Sequence, residues 1–113
     1  MRFIGTTMEM FRGDSETLTV LARDKATQAP IALVTGDTVK LTVRRNEDDE
    51  ISFQEVVTTF ADGKALIPIL PADTSGLARG RYVYDIEVTF ASGEVKTPVK
   101  GVFKLEGDVT YGE

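Results

Sequence analysis

Two acidic clusters are the residues whose type and spacing come closest to chemistry. Asp85 and Glu87 stand two apart in a run of alternating polarity, which would put both carboxylates on one strand face about 7 Å apart. Paired carboxylates at such a separation can hydrolyse glycosidic bonds. The register expected for this region also sets Lys100 and Lys96 on the neighbouring strand, and a flat sheet face neutralised by lysines offers no cleft for a sugar. Glu47, Asp48, Asp49 and Glu50 could collect a hard cation such as calcium. They lack the Gly and the alternating oxygen ligands of a calcium loop, and a solvated hairpin tip that discourages edge-to-edge pairing accounts for them better. Arg12-Gly13-Asp14 spells the tripeptide that cell-adhesion receptors read, but three letters are weak, and the same residues make a turn between strands. The 113 residues include no His and no Cys, so imidazole bases, thiolate nucleophiles and nitrogen or sulfur metal sites are all excluded. The expectation is a non-enzyme with no catalytic residue, no metal ligand and no cofactor.

Charge narrows the partners. Thirteen Lys and Arg against eighteen Asp and Glu leave a net −5, which argues against nucleic acid, whose binding rests on cationic neutralisation of phosphates. No run approaches the roughly 20 apolar residues of a membrane span. Met1-Arg2-Phe3-Ile4-Gly5 is followed at once by Thr6 and Thr7 rather than an apolar signal region, so the chain reads as soluble and not secreted by the general pathway.

The elements that would position these groups are strands, because apolar residues recur with period two between closely spaced turn residues. Thr7 to Phe11 reads as one strand. Ser15 to Arg23 reads as the next, with Leu18, Val20 and Ala22 on one face, followed by a loop over Asp24 to Pro30. Thr38 to Arg45 alternates, Val39, Leu41 and Val43 facing the core and Lys40, Thr42 and Arg44 facing water. Asp62-Gly63 predicts a two-residue hairpin loop. Counting outward from it pairs Phe60 with Ala65, Thr58 with Ile67 and Val56 with Ile69, with those even positions inward. Ile51 and Phe53 look equally core-like, which predicts a bulge near Gln54-Glu55, and Pro68 predicts an edge strand. Ser92-Gly93 predicts a second two-residue loop. It sets Phe90, Val88, Ile86, Tyr84 and Tyr82 opposite Val95, Thr97, Val99, Gly101 and Phe103, with Asp85 against Lys100 and Val83 against Val102 on the other face.

About seven antiparallel strands in a single domain over 1–113 predict an all-β, immunoglobulin-like sandwich. Only a turn or so of helix is expected, around Asp73 to Arg79. Residues 1–6 and 106–113 lack the interior alternation and read as ends that order against a neighbour. Tyr82, just after a turn and two residues before a core position, is the candidate for a structural corner in which its hydroxyl bonds back to the preceding loop. Val83 and Val102, with Leu21 and Leu66, are outward apolar residues that would mark an interface if they cluster.

Several phrases together resemble short immunoglobulin-like structural proteins of tailed bacteriophages and prophages, similar to the N-terminal domain of baseplate upper proteins. They are Phe11-Arg12-Gly13-Asp14-Ser15, Pro30 with Thr35-Gly36, Leu70-Pro71-Ala72-Asp73-Thr74 with Leu77, and Gly80-Arg81-Tyr82-Val83-Tyr84-Asp85-Ile86-Glu87-Val88. Val95-Lys96-Thr97, Gly101-Val102-Phe103 and Asp108-Val109-Thr110 complete them. Tyr82-Val83-Tyr84-Asp85-Ile86 is the most specific. Such proteins often carry Asp-Leu-Thr-Gly after the proline, where this chain has Ala32-Leu33-Val34-Thr35-Gly36, a departure confined to one loop. The resemblance implies a non-catalytic virion component of the tail, baseplate or head surface, made in the bacterial host cytoplasm and localised to the virion. Its partners would be other virion proteins and further copies of itself, as a homo-oligomer or symmetric ring. The alternative is a host-surface recognition module that binds carbohydrate or protein through the loops at Asp24 to Pro30 and Asn46 to Asp49. Those loops contain no Trp or Tyr, the residues expected at such contacts.

Overall fold

The computed structural model describes residues 2–23, 26–27 and 29–107. Strands form wherever the alternation is sustained: β1 (Arg2–Ile4), β2 (Thr7–Phe11), β3 (Glu16–Val20), β4 (Ala22–Arg23), β5 (Pro30–Ile31), β6 (Thr38–Arg44), β7 (Ile51–Val57), β8 (Ala65–Ile69), β9 (Gly80–Thr89) and β10 (Val95–Glu106). One short helix, α1 (Pro71–Thr74), lies between β8 and β9. The six-stranded sheet has the order β1-β2-β10-β9-β6-β7; β3 pairs with β8 in a second sheet, and β4 with β5 in a short ladder. The fold is the expected all-β sandwich. Among the described residues it has ten strands in place of about seven, because the first stretch supplies β1, the run from Ser15 to Arg23 is interrupted at Leu21, and Pro30–Ile31 adds β5. Every pairing is antiparallel except that of β2 with β10, which is parallel.

The core lies between the two sheets. Leu18, Val20, Ala65, Ile67 and Ile69 of the small sheet face Val39, Leu41, Val43, Tyr82, Tyr84, Ile86, Val88, Phe103 and Leu105 of the large one, and all are buried. Phe103 is fully enclosed and takes Phe53 and Tyr82 edge-on, at centroid distances of 5.8 and 6.3 Å. T-shaped pairs of this kind match the positive ring edge to the negative face.

The last hairpin holds its expected register from Val99↔Ile86 to Phe103↔Tyr82, with Lys100 opposite Asp85 and Val102 opposite Val83. Nearer the turn the register differs by one, Val95 lying opposite Thr89 and Lys96 opposite Val88. The turn is closed by Phe90 N–H to Glu94 O and Gly93 N–H to Phe90 O, both 2.8 Å. Its loop is therefore three residues, Ala91-Ser92-Gly93, with Gly93 supplying a φ of 96°, the left-handed position such loops require. The offset is absorbed by a bulge between Lys96 and Val99. Pro98 falls there, where the missing amide costs no ladder bond.

The Asp62-Gly63 turn also forms, with φ of 53° and 74° and reciprocal Ala61–Lys64 backbone bonds. The hairpin expected around it does not. β7 pairs with β6 and β8 with β3, so the turn carries the chain from one sheet to the other. The inward positions of β7 are accordingly odd: Phe53 is buried and Glu55 and Val57 half-buried, while Val56 is 51% exposed. Thr58 is exposed, and Phe60 packs partly against the core. Alternation runs unbroken through Gln54-Glu55, and the bulge lies instead at Ser52, between Val43↔Phe53 and Arg44↔Ile51. Pro68 does sit on a strand at the rim of a two-stranded sheet. Thr42 points outward as expected but is buried, because Gln54 Nε2 donates to its hydroxyl at 2.9 Å.

At the ends of the chain, Arg2–Ile4 is not an arm but pairs with β2, and β10 continues through Glu106. The remainder of the C-terminal arm, 108–113, lies outside the described residues, as do 24, 25 and 28 of the loop at 24–30.

Candidate functional site

The outer face of the large sheet carries Asp85 and Glu87. Their neutralising partners come from β6 rather than β10: Arg44 lies 3.7 Å from Asp85, and Lys40 lies 3.5 Å from Glu87. Lys96 instead pairs with Glu94 at 3.4 Å, and Lys104 with Glu9 at 3.7 Å. The two carboxylates thus belong to a ladder of exposed ion pairs on an open sheet, each worth a fraction of a kcal/mol to about 1 kcal/mol.

The acidic tip closes on itself. Asn46 Nδ2 donates to Asp49 Oδ2 at 3.0 Å, Asp49 N–H donates to Asn46 O at 3.1 Å, and residues 45–50 are exposed. Among the described residues no three acidic side chains converge so as to hold a metal ion. Arg12-Gly13-Asp14 is a turn tied into the fold. Arg12 N–H donates to Glu106 O at 2.9 Å, Arg12 Nη1 to Leu77 O at 3.3 Å, and Gly13 N–H to the hydroxyl of fully buried Thr74 at 2.8 Å.

Tyr82 makes the corner bond, its hydroxyl donating to Ala78 O at 2.5 Å, while the Arg45 guanidinium lies 4.8 Å over its ring. Tyr84 reaches across to the β1–β2 turn, donating to Thr6 O at 2.7 Å. Burial pushes its phenol above the ordinary value, which keeps the proton in that bond. Gly101 lies opposite Tyr84, and a Cβ there would run into the Thr6 carbonyl oxygen and the Tyr84 ring. Glycine is what lets β10 pass under this turn.

Two inward carboxyls that the sequence does not single out are drawn into the fold, Asp37 buried and Glu55 half-buried. Asp37 is buried, its Oδ2 accepting from Val34 N–H and its Oδ1 from Ala91 N–H, both at 2.9 Å. It ties the approach to β6 to the β9–β10 turn; Gly36-Asp37 before an apolar alternation is the signal that could have marked a side chain capping a turn. Glu55, inward on β7, meets Asp73 of α1. Its carboxyl is pushed up from 4.5 to about 7, first by the hydrogen bond with Asp73, then by burial, then by the Asp73 charge. Asp73 Oδ2 meanwhile accepts from Leu70 N–H at 2.9 Å. This acid pair borders neither of the two hollows described next.

One hollow, about 340 Å³, lies at the end of β9 and β10 among Arg79, Arg81, Lys104 and Glu106. The other is a groove of about 520 Å³ along β3, between Thr17, Thr19 and Leu21 on one side and Phe3 and Thr6 on the other, with Tyr84, Ile86 and Val99 as its floor. The four outward apolar residues do not share one sheet. Val83 and Val102 pair on the large sheet and are half-buried among the ion pairs. Leu66, 46% exposed, lies on the small sheet opposite Thr19, and Leu21, 45% exposed, falls just past the end of β3, outside the β3–β8 pairing. No family model matches the chain, and no curated protein is detectably similar to it.

Proposed function

We propose that the protein is a non-catalytic component of a tailed-phage particle, in the tail, the baseplate or on the head surface, that works through protein contacts. The observation that carries this reading is the open groove beside β3, a strand paired on one edge only among the described residues. Its walls offer backbone and apolar side chains to another polypeptide rather than acids or bases to a substrate. A strand edge with an apolar floor is the surface to which an extended segment adds, and the resemblance of the sequence to phage structural proteins is the ground for proposing a phage assembly. Immunogold labelling of purified particles with an antibody to this chain tests it. Label at the tail tip supports a baseplate position and label over the head a decoration position; particles without label refute the virion role. Binding of the isolated protein to intact host cells would favour receptor recognition instead.

A further inference from the structure

We propose that the hollow at the end of β9 and β10 is a binding site for an acidic segment of a partner protein, whose carboxylates are taken by Arg79, Arg81 and Lys104. The first ground is an unbalanced pairing. Elsewhere on the outer face of the large sheet cation meets carboxylate: Arg44 lies 3.7 Å from Asp85, Lys40 lies 3.5 Å from Glu87, and Lys100 stands opposite Asp85. At this end Arg81 stands directly opposite Lys104. Like charges opposed across a ladder are destabilising, so the fold itself gains nothing from that pair.

The second ground is that these cations are not neutralised from within. Lys104 shares Glu9 at 3.7 Å, but among the described residues neither Arg79 nor Arg81 makes an ion pair, and Glu106 in the wall of the hollow pairs with neither. Both arginines are exposed. Arg45 adds a further cation beside them, its guanidinium over the Tyr82 ring and against Gly80. A net charge of −5 repels an acid at a distance, but salt screens exposed charges beyond about 8 Å. Within the hollow the local cations decide.

The third ground is the form of the site. The hollow is about 340 Å³, with Gly80 and Gly107 leaving bare backbone between the charged side chains. Arg79 is laid over Gly107, where a Cβ would stand 2.6 Å from its Nη1, while Arg81 and Lys104 rise from neighbouring strands. Cations spread in this way offer separate contacts to the carboxylates of a chain rather than one cage for a single ion. Guanidinium forks take carboxylates bidentately, and arginine clusters are a recurring means of reading acidic segments. The site rests on the reading of the protein as a contact module and not on which particle contains it.

Isothermal titration of the full chain with hexaglutamate tests it, with hexaglutamine and inorganic phosphate as the comparison probes. Hexaglutamate should bind at concentrations below ~1 mM and weaken steeply as salt is raised, and hexaglutamine should not bind. Arg81→Gln and Arg79→Gln should each weaken binding at least ~10-fold, the loss of one charge-assisted contact. Arg81→Gln should also melt no lower than the parent, because it relieves the opposition to Lys104; a purely structural arginine would lower it. Lys96→Gln, at the far end of β10 and paired with Glu94, should bind like the parent. Failure to bind hexaglutamate, or an Arg81→Gln variant that binds it like the parent, overturns the inference. Phosphate binding as tightly as hexaglutamate overturns the polypeptide as occupant. So does an Asp108→Asn chain that binds hexaglutamate at least ~10-fold more tightly than the parent, since the chain's own carboxylate would then be the competitor. Binding by a protein that is absent from particles overturns the virion role alone; labelled particles whose protein does not bind overturn the site alone.

Discussion

Glu55→Gln removes the charge of the inward carboxyl on β7, whose pKa is strongly raised. Glu55 ionises near 4.5 when unfolded but about 7 when β7 packs against α1, with the Asp73 hydrogen bond the largest cause. Between those values the folded chain binds more protons than the unfolded one, so stability falls as pH rises through the window. Its contribution is full below the unfolded value and lost above the folded one. Taken at face value the displacement corresponds to roughly 3 kcal/mol. The pair is only partly shielded from water, and screening reduces this to about 1 kcal/mol. Glutamine keeps an N–H donor for Asp73 and removes the charge, so the variant should match the parent near about pH 5 and exceed it by about 1 kcal/mol near about pH 8.5. Urea unfolding of both proteins across that range reads the difference between them, in which the other carboxylates cancel. A difference that stays constant with pH would refute the raised Glu55 carboxyl. A parent that gained stability relative to the variant on raising the pH would refute the sign.

Two further substitutions test the internal bonds. Tyr82→Phe removes the hydroxyl that donates to Ala78 O and should cost about 1–2 kcal/mol in denaturant unfolding with no change of fold; a neutral effect would mean the corner bond contributes nothing net. Asp37→Ala leaves the Val34 and Ala91 amides without their buried acceptor and should cost about 2–4 kcal/mol, with amide exchange accelerating at Ala91 before it does in the centre of β9.

The hairpin from Tyr82 to Phe103 was legible because two independent patterns demand one register: the apolar face and the Asp85–Lys100 opposition coincide only there. Its turn was misjudged by one residue because Ser92-Gly93 suits either a two-residue loop or the end of a three-residue one, and only the Pro98 bulge downstream tells them apart. The Asp62-Gly63 turn was equally readable as a turn and misleading as a hairpin. Local residues fix a turn's dihedrals, but whether the flanking strands pair with each other depends on better partners elsewhere. β6 offers β7 the inward pairs Val39–Val57 and Val43–Phe53, and β3 offers β8 Leu18–Ile67 and Val20–Ala65. Once β7 belongs to the large sheet its inward parity is set by Phe53, and Val56 is forced outward.

The same logic explains why four outward apolar residues looked alike in sequence and differ in the fold. Val83 and Leu21 each stand in an alternating run, and nothing local separates them. Their surroundings come from the pairing: β6 lays Arg44 beside Val83, whereas Leu21 falls past the end of β3, outside its pairing with β8. Among the described residues the second edge of β3 is unpaired for a related reason. The first strand of an immunoglobulin-type sandwich ordinarily lies against the second, in the sheet that β3 and β8 form here. Gly5-Thr6 instead folds β1 back onto β2, and Tyr84 fixes that turn through Thr6 O. A position that β1 could occupy is thereby left as the groove. A substitution that loosened the Thr6 bond and let β1 cross to β3 would therefore close the groove over Tyr84.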